Sequence, residues 1–69
     1  MLQLLDVVAL LVDHPELSLS SGQVGTIVHV HDDETFEVEF SDDDGVTYAL
    51  VDLKAPELLK LRYDAEAAA

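Results

Sequence analysis

His29 and His31 are the residues whose types and spacing most readily suggest chemistry. They sit two apart in Val24-Gly-Thr-Ile-Val-His-Val-His31, a run rich in β-branched residues that reads as a strand, so both imidazoles point to the same face. Asp32, Asp33, Glu34, Glu37 and Glu39 follow closely. Two imidazoles on one face with a carboxylate beside them could hold zinc or another divalent ion. The competing reading is a solvated face on which His29 meets Glu37 across a hairpin, a contact worth roughly 0.2–1 kcal/mol. No resident metal is expected on that reading, and a divalent-metal-binding module using His29 and His31 stays open as an alternative. His14, beside Pro15 in a loop, adds nothing to either reading. The acidic turn Asp42-Asp43-Asp44-Gly45 resembles a calcium loop only at its start. An EF-hand needs a Glu at its twelfth position, and counting from Asp42 that position is Leu53.

Other chemistries lack their parts. The chain has no cysteine, so thiolate nucleophiles, thiolate metal sites and disulfides are excluded. It contains no Gly-x-Ser-x-Gly elbow and no glycine-rich phosphate loop. Its carboxylates would need a cleft that separates their proton affinities, and a small barrel fills its interior with side chains. No enzyme activity and no cofactor are expected. Charge argues against nucleic acid as well. Fifteen acids stand against three bases, a formal net charge of −12, and the bases Lys54, Lys60 and Arg62 all fall near the C-terminal end. Residues 1–53 carry 12 acids and no Lys or Arg. Such a surface repels phosphate, from which nucleic-acid affinity mostly comes, and Lys60, Arg62 and Tyr63 are too few to offset it. The longest apolar run, Val7 to Val12, is far short of the roughly 20 residues of a membrane span. With no basic, apolar leader at the start, a cytoplasmic protein is the expectation.

The elements that would position these residues are short strands. Sixty-nine residues make one small domain. Leu5–Val12 reads as a strand, although its apolar spacing also fits two helical turns, and it is ended by Asp13-His-Pro-Glu16; Leu17–Ser21 reads as a loop with its leucines turned inward. Val24–His31 and Thr35–Phe40 form a hairpin closed by Asp32-Asp33-Glu34. In the simplest register Val30 faces Phe36, Val28 faces Val38 and Thr26 faces Phe40 on the inside, while His29 meets Glu37 and Ile27 meets Glu39 outside. Gly22 and Gly25 are read as the turn before this hairpin, and Ser41–Gly45 as the turn after it. In Val46–Leu53 two inward sets compete, Val46/Tyr48/Leu50 and Ala49/Val51/Leu53, and a bulge would let both contribute. Lys54–Glu57 reads as one helical turn around Pro56, and Leu58–Arg62 as a last strand. The expected fold is therefore all-β: a small five-stranded SH3-like barrel over residues 1–63 with a single 3₁₀ turn before the last strand, and a disordered tail at 64–69.

Two resemblances attach to these residues. Gly22, Gly25, Val28 and Val30, with Val38 and Phe40 on the returning strand, resemble the KOW motif of ribosomal and transcription-elongation proteins. Over nearly the whole chain, Leu5–Leu10, Gly22–Thr26, Phe36–Phe40 and Gly45–Leu50 resemble the short bacterial proteins known as domain of unknown function 4926. That resemblance implies a bacterial or cyanobacterial stand-alone SH3-like protein, and it implies no activity, cofactor or catalytic residue.

An interaction surface remains as the expected function: a small acidic module that binds a basic partner protein. Glu37, Glu39, Asp42, Asp43 and Asp44 would form its electrostatic rim, and Ile27 and Tyr48 its apolar contacts. An antitoxin- or immunity-like inhibitor of a nucleic-acid-handling protein and an accessory subunit of a larger enzyme or ribosome-associated assembly are the alternatives. The protein itself is expected to be a monomer or weak homodimer.

Overall fold

Strands form where β-branched and aromatic residues alternate with polar ones, and acidic or Pro-containing stretches interrupt them. The structure, a computed structural model, describes residues 1–62. Five strands, β1 (Val7–Leu10), β2 (Val24–Val30), β3 (Thr35–Ser41), β4 (Thr47–Lys54) and β5 (Leu58–Lys60), are accompanied by 3₁₀ turns at Pro15–Leu17 and Ala55–Glu57. The strands make one antiparallel sheet in the order β4-β3-β2-β1-β5, which leaves β4 and β5 as edges. The all-β architecture and the 3₁₀ turn before the last strand are as expected, and the sheet is not closed into a ring. Tyr63 and the tail expected to be disordered lie outside the described residues.

All five strands send side chains into a single core of Val8, Leu10, Ile27, Phe36, Val38, Phe40, Leu53 and Leu58, completed by Leu19 from the long loop. In β3 the alternation is complete, with Phe36, Val38 and Phe40 buried and the residues between them turned outward. β4 resolves its ambiguous phase in favour of Ala49, Val51 and Leu53, while Val46, Tyr48 and Leu50 are exposed. β1 is shorter than the sequence suggested. Leu5 takes a left-handed backbone at φ 71°, and a turn closed by Asp6 N–H donating to Gln3 O precedes the strand.

The β2–β3 register departs from the simplest one at a single residue. Val30 pairs with Phe36 and His29 with Glu37, as expected. Beyond them Ile27 pairs with Val38, Thr26 with Glu39 and Gly25 with Phe40, so Val28 is the extra residue of a β-bulge. The slip exchanges faces for everything before it. Ile27, expected outside as a partner contact, is fully buried in the core. Thr26 moves to the outer face, Val28 is half-buried, and Val30 is 40% exposed at the sheet's end rather than part of the core.

Gly25 lies inside β2 rather than in the turn. A Cβ built there would stand 2.7 Å from Val38 Cγ1, 2.8 Å from the Glu39 carbonyl oxygen and 3.0 Å from Phe40 Cδ1. The absent side chain lets β3 and its core residues close onto β2 behind the bulge. Gly45, by contrast, serves its turn through a φ of 81°.

The long loop is pinned by His14. Its backbone exchanges hydrogen bonds with Leu19, which fixes Leu19 over the core. Its ring bonds Glu57 Oε1 through Nε2 at 2.5 Å and Glu16 Oε2 through Nδ1 at 3.3 Å. Glu57 Oε2 in turn accepts from Lys54 N–H at 2.7 Å, so one carboxylate joins the loop to the turn before β5. Glu57 and then Glu16 raise the imidazole above its ordinary value of 6.5. Glu16 is held below its ordinary value, first by a backbone N–H and then by His14.

Two expectations follow. Gly25→Ala should destabilise by about 1–3 kcal/mol through overpacking against backbone and core, read as a lowered midpoint in thermal unfolding. A raised imidazole stabilises fully below its unfolded value and loses that contribution as pH rises through the folded one. The clasp therefore weakens above the ordinary histidine range. Thermal midpoints of wild type should fall more steeply from about pH 6 to about pH 8 than those of His14→Gln. Parallel pH profiles would show that His14 does not act this way.

Candidate functional site

Cross-strand neighbours decide which side chains share a surface, and the outer face of β2, β3 and β4 gathers most of the residues singled out in the sequence. Glu37 and Glu39 stand half-buried on β3, each pointing outward between buried neighbours. Glu39 lies opposite Leu50 and accepts a hydrogen bond from Thr47 Oγ1 at 2.7 Å. Asp42, Asp43 and Asp44 occupy the β3–β4 turn and are exposed. They are not equivalent. Asp42 Oδ1 accepts from the backbone N–H groups of Asp44 and Val46, both at 2.9 Å, so its carboxylate builds the turn while Asp43 and Asp44 offer charge to solvent. Asp32 plays the same part in the β2–β3 turn. Its Oδ1 accepts from Glu34 and Thr35 N–H, and those bonds, led by the one from Glu34, hold its carboxyl below its ordinary value.

Tyr48 is the second bulge residue, since Phe40 pairs with Ala49 and Ser41 with Thr47. Displaced from the ladder, its ring lies 6.3 Å from that of Phe40 and its hydroxyl accepts from Gln23 Nε2 at 3.1 Å. The ring is fixed yet 48% exposed. Leu50, at 53% exposure, stands opposite Glu39 on the outer face, while Val46, at 60%, is exposed in the turn before β4 and, with the bulge between them, does not share that face. Ile27, buried in the core, does not join it, and Leu50 is the exposed apolar residue beside Glu39. Counting back by twos from the strongly apolar Leu53 finds Val51 and Ala49, and the bulge at Tyr48 ends that count. β4 pairs only with β3, so its second edge carries backbone groups with no strand partner among the described residues.

A second grouping lies farther along the same face. His29, Glu37 and Asp52 form one row across three strands, through the pairs His29–Glu37 and Glu37–Asp52. His31 projects beside them, its ring 4.6 Å from that of His29 and its Nε2 2.9 Å from Asp52 Oδ1. Asp52 was not among the residues singled out in the sequence, because its proximity depends on the β3–β4 register rather than on spacing. The nearby Lys54 ammonium donates to Thr35 Oγ1 at 2.8 Å. Elsewhere Lys60 pairs with Asp6 at 3.4 Å.

At the end of the sheet a cavity of about 300 Å³ is lined by Leu2, Leu4, Val30 and Phe36, with Asp32 and Asp33 at its rim. It holds no nucleophile beside a base, and its best-placed carboxylate, Asp32, is engaged in the turn. No helix among the described residues is long and apolar enough to cross a membrane.

No curated protein and no solved structure matches the chain. A family model does match, over residues 4–60, and that span runs from the turn before β1 to the end of β5. It thus takes in every strand and both groupings on the outer face, and the chain belongs to the family described as Domain of unknown function (DUF4926).

Proposed function

We propose that this chain is a non-enzymatic docking module that offers the free edge of β4 to a basic partner protein. The observation that supports this reading is the coincidence, on one edge strand, of unpartnered backbone, exposed apolar side chains and an acidic border. Leu50 and the bulged Tyr48 supply the exposed apolar side chains, and Glu39, Asp43 and Asp44 border them, with Asp42 holding the turn. A partner strand laid along β4 would gain main-chain hydrogen bonds, with an apolar side chain against Leu50. The absence of Lys and Arg from residues 1–53 favours a cationic partner, whose approach the acidic border would accelerate.

An edge this long and apolar is ordinarily blunted by lysine, proline or covering loops. On β4 the only lysine is Lys54, at its far end. Carboxylates near the edge discourage pairing with a second copy, whose edge carries the same charge. A cationic strand meets no such penalty. The same surface would suit an antitoxin- or immunity-like inhibitor that covers a basic, nucleic-acid-handling protein, and equally an accessory subunit of a larger enzyme or ribosome-associated assembly. In this reading the setting is the bacterial cytoplasm and the free protein is a monomer or weak homodimer.

Titration with a peptide of alternating lysine and valine, followed through backbone amide resonances, tests the mode of binding. Shifts should concentrate on Thr47–Lys54 and the Asp42–Gly45 turn, and Leu50→Arg should abolish them. Raising salt from about 0.05 to about 0.5 M should weaken binding at least tenfold. Shifts scattered over the whole surface, or insensitivity to Leu50→Arg, would remove β4 as the docking edge.

A further inference from the structure

Glu37 and Asp52 are direct cross-strand partners on the outer face, an arrangement that costs stability when both are ionised. Neither forms a salt bridge with a lysine or arginine among the described residues: the Lys54 ammonium goes to Thr35, and the Lys60 ammonium goes to Asp6. What faces the two carboxylates is imidazole. Donor atoms of His31, Glu37 and Asp52 already lie within 4.8 Å of one another, and His29 is the cross-strand neighbour of Glu37 and packs edge-on against the His31 ring. We infer that these residues form a binding site for a divalent transition-metal ion of the zinc type, with His31 Nε2, Glu37 and Asp52 as ligands and His29 able to supply a fourth.

The donor set selects the ion. One or two imidazole nitrogens with two carboxylate oxygens suit zinc and its borderline neighbours, whereas calcium and magnesium favour shells made wholly of oxygen. Bonds of about 2.0 Å to zinc bring neighbouring donors to about 3.3 Å, a contraction that exposed side chains on fixed strands can make by rotation. The backbone need not move, because the strand register already sets the carboxylates opposite each other. Bound there, the ion would neutralise the like-charged pair and tie β2, β3 and β4 together across the bulge. This site does not depend on the docking edge. Val46, Tyr48 and Leu50 take no part in it, so either proposal can fail alone.

Isothermal titration of the full chain with zinc chloride, repeated with magnesium chloride, tests the inference together with imidazole nitrogen resonances. One equivalent of zinc should bind, the His31 ring signals should shift, and magnesium should not compete. His31→Gln and Asp52→Asn should each weaken binding by about tenfold or more, while both variants keep the amide spectrum of a folded chain. His14→Gln should leave binding unchanged, since that ring is engaged by Glu57 and Glu16. The inference is overturned by the absence of saturable zinc binding up to about 0.1 mM. Binding unaffected by His31→Gln and Asp52→Asn, or binding lost in His14→Gln, would overturn it equally.

Discussion

One unpaired residue governs how this small sheet divides its inside from its outside. Val28 takes no partner on β3, and the slip it introduces puts Ile27 into the core beside Val38 while leaving His29 outside beside Glu37. Without it, Ile27 would stand on the outer face opposite Glu39, because side chains alternate strictly along an uninterrupted strand. The bulge also increases local twist and bend, which a sheet of five short strands needs if all of them are to reach one core. Gly25 is the counterpart of that bend. Directly across from Phe40, it lets the returning strand come so close that no Cβ fits between them. Core composition, curvature and the outward row of polar residues thus share one origin.

The strong negative charge is tolerated because several of its acids serve the backbone. Asp32 and Asp42 each accept two N–H groups and so shape the turns at either end of β3. Asp6 accepts from Gln3 N–H at 2.8 Å and also meets Lys60. Glu57 caps the turn before β5 and holds His14. Once these are set aside, the remaining exposed charge concentrates on the β3–β4 hairpin and its outer face. Self-repulsion there opposes compaction, and the core of Phe36, Phe40 and their aliphatic neighbours offsets it.

Much of this was legible in the sequence, and the parts that were not have a common cause. β3 was plain, because Phe36, Val38 and Phe40 alternate without interruption. The Asp42–Gly45 turn and the Pro56 turn were plain too, since local backbone chemistry alone determines them. Periodicity alone puts Ile27 on the wrong face, because a bulge adds a residue without changing composition and nothing in the run Thr26-Ile27-Val28 marks which residue loses its partner. Tyr48 obscured the phase of β4 in the same way. His14 carries no signal in the sequence because its importance lies in Glu57, a residue close to it only once β5 has joined β1. Asp52 reached the histidines through two successive registers. Local periodicity identified the strands, and pairing across them identified the sites.

That joining of β5 to β1 also bears on how the fold is reached. Val8 pairs with Lys60 and Leu10 with Leu58, so the first strand and the last are neighbours with nearly the whole domain between them. Hairpins β2–β3 and β3–β4 can form from adjacent sequence, while β1 must wait for the final strand to gain its second partner. Closing so long a loop is entropically expensive, and folds dominated by such distant pairings assemble slowly. On the ribosome, β1 can settle on β2 but cannot complete its ladder until Lys60 has left the exit tunnel. The Leu19 loop, held through Glu57, locks in the same late step.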